Sequence, residues 1–336
     1  MELPTPKEIK TKYPLKNSHL IYEARQTAKK ILQREDKRLA LIVGPCSIHN
    51  VESAIEYALA LKELTPKIES TFFPIMRVFI EKPRTKLGWK GMLYDPHLDG
   101  SNDIATGISR SRELILKIAD MGVPCATEIL EPIAIPYFED LISWGLIGAR
   151  TSASQPHRQM ASGLPFPVGF KNDCSGDLKV ALEGILTAQM PHSHIGINEE
   201  GLISKILSTG NPLAHLVLRG SDTKPNFDPL SIQNALNALT SQNLDPRLII
   251  DCSHGNSGKN YTKQKIAFES VMSQSATNRA IAGLMLESNL FAGKQPLQIG
   301  KLDYGVSITD SCMGWEETEE LLLSFSKSMS ISCVQK

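Results

Sequence analysis

The sequence predicts an α/β protein of the (β/α)8 class, a TIM barrel, and two observations carry this prediction. Eight apolar runs rich in β-branched residues alternate with helical patterns, which indicates a parallel sheet buried on both faces. Nearly every run ends at a charged residue or a possible metal ligand: Cys46, Glu81 with Lys82, Glu128, Arg150, Lys171, Arg219, His254 and Glu287. In such a barrel the carboxyl ends of all strands meet at one active-site face. An open Rossmann sheet is the alternative, but no Gly-x-Gly-x-x-Gly motif follows the first run.

The elements are expected in a simple order along the chain. Residues 1–38 are predicted to form an N-terminal arm and helix, because Ala24, Ala28 and Ile31 fall near one helical face. Residues 39–330 are predicted to form a single barrel domain, in which Asn50 caps the helix after the first strand. Residues 192–210 interrupt the repeat with two short β-like stretches, so we expect a hairpin inserted before the sixth strand. The barrel strands are predicted at residues 39–47, 75–81, 124–130, 146–151, 166–171, 215–219, 247–252 and 281–287, and a last helix at 315–325.

The composition argues against several classes of protein. The 336 residues include 36 basic and 36 acidic side chains, whereas proteins that grip nucleic acid usually carry a basic excess. No apolar stretch approaches the roughly 20 residues of a membrane span, and the first residues lack a signal-peptide core. The six cysteines include no Cys-x-x-Cys pair, which favours reduced thiols. We therefore expect a cytoplasmic protein that binds neither nucleic acid nor membranes.

Four residues can be grouped as ligands of one metal ion. Cys46, His254 and Glu287 follow or end predicted strands, and Asp310 lies in a segment near the last helix. One thiolate, one imidazole and two carboxylates suit a divalent Mn, Fe, Co or Zn ion. The alternative is structural, with a buried thiol, a hydrogen-bonded core histidine and carboxylates at helix ends.

Six cations lie within or just beyond strand ends, where they interrupt apolar runs. Guanidinium groups bind phosphate and carboxylate through paired hydrogen bonds, so this convergence indicates a substrate with several negative charges. The loop at residues 82–91 contains several cations together with a proline that stiffens it, two glycines that permit tight turns, and Trp89. Its position after a strand favours a loop that binds phosphate. Ion pairing with Glu81, Glu128 or Asp173 is the alternative. The six cations are Arg77, Lys82, Arg84, Arg150, Lys171 and Arg219.

An ordered series of motifs in the chain resembles a known enzyme family. The motifs are Gly44-Pro-Cys-Ser-Ile-His-Asn50, Glu81-Lys-Pro-Arg-Thr85, Gly88-Trp-Lys-Gly91, Ile147-Gly-Ala-Arg-Thr151, Gly169-Phe-Lys-Asn172, Leu218-Arg-Gly220, Asp251-Cys-Ser-His254, Leu286-Glu-Ser288 and Ser307-Ile-Thr-Asp310. Together they resemble the microbial type I synthases of 3-deoxy-D-arabino-heptulosonate 7-phosphate (DAHP), and the likeness covers about residues 20–325.

The resemblance implies an activity and a role for each site residue. The reaction would be the condensation of phosphoenolpyruvate with D-erythrose 4-phosphate and water, which yields DAHP and phosphate and opens the shikimate pathway to aromatic amino acids. Cys46, His254, Glu287 and Asp310 would bind one divalent metal ion. His254, a metal-bound water or Lys82 would move protons. Arg84 and Thr85 would bind the phosphate of the sugar. Residues near phosphoenolpyruvate would be Arg77, Lys82, Glu128, Arg150, Lys171 and Arg219.

Two other functions remain open at the level of the sequence. A 3-deoxy-D-manno-octulosonate 8-phosphate synthase would use the same donor with a five-carbon sugar, and the loop from Lys82 to Thr85 disfavours it. A non-catalytic barrel that binds a metabolite would need a damaged site. The resemblance also implies a homodimer or homotetramer, with the hairpin and the arm as plausible contacts. Feedback-regulated members differ at Ile135, Pro136 and Pro165, so no effector is predicted.

Overall fold

The fold is a closed barrel of parallel strands, as the sequence predicts. The computed structural model describes residues 2–84 and 86–334, with side chains up to Ser326. Within these residues eight strands pair in the order β1-β10-β9-β8-β5-β4-β3-β2, and β6 and β7 form a separate hairpin. The strands are β1 (Leu39–Gly44), β2 (Phe72–Arg77), β3 (Cys125–Glu128), β4 (Trp144–Ile147), β5 (Val168–Lys171), β6 (Ser193–Ile197), β7 (Ile203–Leu207), β8 (His215–Leu218), β9 (Leu248–Asp251) and β10 (Ile281–Glu287).

Helices surround the barrel and complete its core. Asn50 accepts a hydrogen bond from the backbone of Ser53 at the start of the third helix, which confirms the predicted cap. The barrel strands β1 and β10 are buried along their whole length, because one face packs on helices and the other fills the interior. The helices are α1 (Pro6–Lys12), α2 (Ser18–Leu32), α3 (Val51–Ile68), α4 (Ile104–Asp120), α5 (Gln155–Ala161), α6 (Lys179–Ala188), α7 (Pro229–Ser241), α8 (His254–Ser257), α9 (Gln264–Ser275) and α10 (Trp315–Val334).

Several strand ends differ from the sequence prediction. Strand β2 ends at Arg77, so the predicted extension to residue 81 is wrong, and the chain leaves the strand before Lys82. Strand β4 ends at Ile147 because the next carbonyl, that of Gly148, accepts hydrogen bonds from the backbones of Thr151 and Ser152. Arg150 therefore lies in a turn beyond the strand. After β3 the chain forms two short 3-10 helices, Ile135–Tyr137 and Glu139–Leu141.

The N-terminal arm and the inserted hairpin lie against each other. The arm contains α1, which the sequence prediction missed and which begins with a capping box between Thr5 and Glu8. The backbone N–H of Lys7 donates to the carbonyl of Glu199 in the hairpin turn, and Lys10 Nζ lies 2.6 Å from the Glu199 carboxylate. The predicted hairpin is confirmed, and it presents its outer face away from the barrel.

Among the described residues, no helix has the length and apolar character needed to cross a membrane.

Candidate active site

The predicted site residues converge on a cavity at the carboxyl ends of the barrel strands. The cavity has a volume of about 630 Å³. Cys46, Arg77 and Glu287 lie outside its lining and are buried. Thr85 lies outside the described residues. The predicted residues that line the cavity are Lys82, Arg84, Glu128, Arg150, Lys171, Arg219, His254 and Asp310.

Three of the four predicted metal ligands meet beneath the lining of this cavity, which Asp310 reaches. One ligand atom each from Cys46, Glu287 and Asp310 lies within 4.8 Å of the other two. Cys46 follows β1 and Glu287 ends β10, and these two strands are neighbours paired at Gly44 and Glu287. The fourth predicted ligand, His254, brings its Nε2 to 3.7 Å from Glu287 Oε1. Three donor groups therefore lie around a common point and His254 approaches one of them, an arrangement that fits a single divalent ion.

Two cations contact these donors directly. Arg77 Nη2 donates to Glu287 Oε1 over 3.0 Å, and the Arg77 guanidinium also donates to the carbonyl of Pro45. Lys82 Nζ donates to the carbonyl of Cys46 over 3.0 Å and to its Sγ over 3.1 Å. Arg77 thus supports a carboxylate of the donor cluster from within the barrel wall, whereas Lys82 lies between the donor cluster and the cavity.

The charges of the cluster act on one another. Burial raises the pKa of the Cys46 thiol, and the neighbouring Glu287 carboxylate raises it further. Burial disfavours the charged form of Lys82, but the negative charges of a Cys46 thiolate and of Glu287 outweigh burial and raise the pKa of this lysine. Burial likewise opposes ionisation of Asp310, yet nearby His254 and Lys82 lower its pKa overall. The site therefore favours an ammonium at Lys82 and a carboxylate at Asp310.

The wall of the cavity above the donor cluster is cationic. Lys171, the last residue of β5, and Arg219, which follows β8, both emerge from the barrel wall into the cavity. Arg84 belongs to the loop after β2, and its Nε donates to the carbonyl of Trp89 over 2.7 Å. Two further cavity cations, Lys86 and Lys259, were not among the candidate site residues.

Asp251 is a site residue that the sequence analysis quoted in a motif without giving it a role. It ends β9 and is fully buried. Its Oδ2 lies 2.7 Å from Lys171 Nζ and 2.8 Å from His254 Nδ1. Burial opposes its ionisation, but His254 and Lys171 hold the pKa of this carboxyl well below its usual value. The sequence does contain a signal for Asp251: it is a carboxylate at the end of an otherwise apolar strand and lies three residues before the candidate ligand His254.

Comparison with known proteins places the chain in a family. The model of the DAHP synthetase I family matches residues 12–323. The chain belongs to this family. It is 43% identical over 325 residues to the Tyr-sensitive phospho-2-dehydro-3-deoxyheptonate aldolase of Escherichia coli K12, covering 95% of this chain and 91% of that protein. It is 42% identical over 324 residues to the Trp-sensitive enzyme of Escherichia coli O157:H7, covering 95% and 93%.

The fold agrees with this membership of the DAHP synthetase I family. A solved structure of phospho-2-dehydro-3-deoxyheptonate aldolase from Francisella tularensis SCHU S4 superposes with a TM-score of 0.96 and 39% sequence identity. The superposition covers 98% of both chains. The barrel, the arm and the inserted hairpin therefore belong to an architecture that the two proteins share.

Proposed function

We propose that the chain is a DAHP synthase, which condenses phosphoenolpyruvate with D-erythrose 4-phosphate and water to give DAHP and phosphate. The observation that carries the proposal is the meeting of two groups of residues in one cavity. In the donor set, His254 and Asp310 line the cavity and Cys46 and Glu287 lie buried beneath them, while several cations line the wall. Two phosphates and a carboxylate in the substrates account for so many cations in a chain without net charge.

The donor set fits a divalent metal ion. Thiolate, imidazole and carboxylate together suit Mn, Fe, Co or Zn, and coordination would displace the proton that burial otherwise favours on Cys46. When bound, the ion would act as a Lewis acid toward the aldehyde oxygen of the sugar. Arg77 holds Glu287 by a hydrogen bond of 3.0 Å, so this carboxylate is fixed before any ion arrives.

The cations of the wall would orient the two substrates. Arg150, Lys171 and Arg219 share the cavity with Glu128 and would hold the phosphate and carboxylate of phosphoenolpyruvate. Arg84 would bind the phosphate of the sugar at the outer rim, together with Thr85. Fixing both anions brings C3 of the enolpyruvate toward the sugar aldehyde, which supplies much of the rate enhancement of a two-substrate reaction.

Of the two side chains that are candidates for proton transfer, Lys82 is better supported than His254. If His254 Nε2 binds the metal, its other nitrogen faces Asp251 and Ser253, so neither nitrogen is free for a proton from the substrate. Lys82 Nζ lines the cavity and lies 3.0 Å from the carbonyl of Cys46, so its ammonium stands between the donor set and the substrates. We therefore assign to Lys82 Nζ the proton that the aldehyde oxygen gains as the new C–C bond forms, and the water that adds at C2 gives up a proton in return.

The first experiment follows the loss of phosphoenolpyruvate and the release of phosphate when D-erythrose 4-phosphate is added. Protein stripped of metal is expected to be inactive, and Mn²⁺ is expected to restore turnover. Cys46→Ser should nearly abolish turnover, whereas Cys125→Ser, which alters a buried thiol on β3, serves as the matched control. Turnover without metal would disprove the ligand set. Consumption with arabinose 5-phosphate in place of erythrose 4-phosphate would instead identify an octulosonate synthase.

The proposal includes a domain organisation, an assembly and a location. Residues 39–330 would form the catalytic domain and residues 1–38 the arm. The outer face of the hairpin supports a homo-oligomer, because Ile195 and Ile203 are both 83% exposed on it. Light scattering tests this, and a monomer at micromolar concentration would contradict it. Free thiols at all five described cysteines support a reducing cytoplasm.

A further inference from the structure

Asp251 lies between the two halves of the candidate site and touches both. One of its oxygens, Oδ2, is 2.7 Å from Lys171 Nζ on the cationic wall and 2.8 Å from His254 Nδ1 in the donor set. The other oxygen, Oδ1, accepts hydrogen bonds from the backbone and the hydroxyl of Ser253. The side chain is fully buried, so water does not compete for these contacts.

Asp251 and Ser253 together determine which nitrogen of His254 carries a proton. The Ser253 hydroxyl donates its own hydrogen to Asp251 Oδ1, so its oxygen, 2.7 Å from His254 Nδ1, is left to accept, and the Asp251 Oδ2 charge lies 2.8 Å from the same nitrogen. The neutral imidazole is therefore stabilised with its hydrogen on Nδ1. The lone pair then lies on Nε2, the nitrogen that is 3.7 Å from Glu287 Oε1. A metal-ligating histidine typically has its other N–H fixed by a carboxylate in this way.

The backbone around His254 also depends on local support. His254 has a φ of +52°, a left-handed conformation that costs free energy in residues other than glycine. Asn256 Nδ2 donates to the carbonyl of Asp251 over 2.8 Å, and the backbone at Gly255 packs so closely that a Cβ there would lie 2.3 Å from the carbonyl oxygen of Ser221. The backbone that carries the imidazole is therefore held in place by its surroundings.

We propose that Asp251 is a positioning residue that aims His254 Nε2 at the metal and Lys171 at the substrate anion. Because one oxygen makes both contacts, Asp251 couples the binding of the metal to the binding of phosphoenolpyruvate. This inference rests on the proposed function for the identity of the anion. The orientation of His254 depends only on the contacts within the chain.

The test measures binding of Co²⁺ to metal-free protein, since the visible absorption of a thiolate-bound Co²⁺ ion reports both affinity and ligand set. Asp251→Asn preserves the size of the side chain but removes its charge. Its affinity for Co²⁺ should fall 10- to 100-fold, as is typical when such an outer carboxylate is lost, and its absorption spectrum should change. Its affinity for phosphoenolpyruvate, measured without metal, should also fall.

Asp245→Asn is the matched control. Asp245 likewise pairs with two cations, Arg34 at 2.9 Å and Arg247 at 3.7 Å, but it precedes β9 at the opposite end of the barrel. This control should bind Co²⁺ and phosphoenolpyruvate as the unchanged chain does. A folded Asp251→Asn variant with unchanged affinity for Co²⁺ would overturn the proposal.

A measurement on the unchanged chain covers the case in which Asp251→Asn fails to fold. Long-range ¹H–¹⁵N spectra of metal-free protein labelled at histidine, assigned by comparison with His254→Gln, report the tautomer. The Nδ1–H form of His254 is expected, and the Nε2–H form would overturn the proposal. If the tautomer and the Co²⁺ result hold but the unchanged chain forms no DAHP, the proposed function fails while the positioning of His254 stands.

Discussion

At Glu81, in the segment that follows β2, a carboxyl group is buried with only part of its hydrogen-bonding capacity used. Its Oε2 accepts a hydrogen bond from the backbone of Leu130 over 3.3 Å, and its Oε1 has no hydrogen-bond partner among the described residues. Burial raises the pKa of Glu81 to about 8, and the nearby Glu131 and Glu128 carboxylates add to the increase. The side chain therefore joins the segments after β2 and β3 as a neutral acid at neutral pH.

Replacing Glu81 by glutamine should remove a pH dependence of stability. Between the ordinary carboxyl pKa and about 8, the unfolded chain has lost a proton that the folded chain keeps, so stability falls as the pH rises. The loss is at most about 1.4 kcal/mol per pH unit for one group. Urea unfolding should show similar stability for both proteins at pH 5 and a more stable Glu81→Gln variant at pH 8.5. If the two proteins differed in unfolding free energy by the same amount at both pH values, the raised pKa of Glu81 would be contradicted.

Gly148 is a second residue on which the site depends. A Cβ added here would lie 2.1 Å from Glu128 Oε1, so Gly148→Ala must displace this carboxylate from the cavity. A displacement of about 1 Å in an active site can lower the reaction rate about 100-fold. We expect kcat/KM of Gly148→Ala to fall at least about tenfold. Gly163→Ala, where the nearest atom would be Ser208 Cβ at 3.3 Å, is the control. Steady-state assays with varied phosphoenolpyruvate measure kcat/KM for both variants. Unchanged kinetics of Gly148→Ala would exclude a role for Glu128 in catalysis or substrate binding.

The sequence located most of these residues because reactive side chains at strand exits contradict the apolar pattern. Cys46, Lys171 and Glu287 each interrupt such a pattern at the end that faces the cavity. Asp251 was missed because its role depends on two partners from other segments, β5 and the start of α8, and their approach is set by the closure of the barrel. Spacing along the chain carries no information on that approach.

At the scale of elements, one arginine joins three segments of the outer layer. Arg112 of α4 is fully buried and makes two hydrogen bonds, of 2.7 and 2.8 Å, to the carboxylate of Asp140. Its guanidinium also donates to the carbonyls of Tyr137 in a 3-10 helix and of Tyr13 between α1 and α2. The position of the N-terminal arm relative to the barrel therefore depends on this group.

Asp140→Asn should destabilise the chain by leaving the charge of Arg112 unpaired. Breaking a fully buried pair costs about 3–5 kcal/mol, but the side chain of Asp140 is 29% exposed, so we expect about 2 kcal/mol. Glu113→Gln is the control on the same helix, because its exposed pair with Lys117 should contribute less than about 0.5 kcal/mol. Urea unfolding measures the stability of both variants. An equal loss of stability in the two would contradict a structural role for the pair of Arg112 and Asp140.

The ends of elements were harder to predict than their existence. Long apolar patterns specified the barrel strands and helices such as α4, because burial of a whole face stabilises them. Helix α1 has only seven residues, and its capping box is its main local signal. The end of β4 is decided by hydrogen bonds to the carbonyl of Gly148, which depend on the turn that carries Arg150.

For the whole molecule, the barrel separates the residues of the candidate site from residues that serve stability alone. Trp144 and His215 are the first residues of β4 and β8, so they lie at the end of the barrel opposite the cavity. Trp144 Nε1 donates to His215 Nε2 over 3.2 Å. Burial lowers the pKa of His215 to about 3, so the ring is neutral and its Nε2 can accept this bond.

The same substitution at the two ends should therefore have opposite effects. Trp144→Phe leaves His215 Nε2 without its donor and opens a space in the interior, which should cost about 2–3 kcal/mol of stability and leave kcat/KM within about twofold. Trp89 Nε1 donates to the carbonyl of Asp95 over 2.8 Å and fixes the loop that carries Arg84. Trp89→Phe should lower kcat/KM for erythrose 4-phosphate more than Trp144→Phe does, and it should lower the melting temperature less. Thermal unfolding and steady-state assays on both variants test this separation, and a fall in kcat/KM for Trp144→Phe as large as that for Trp89→Phe would refute it.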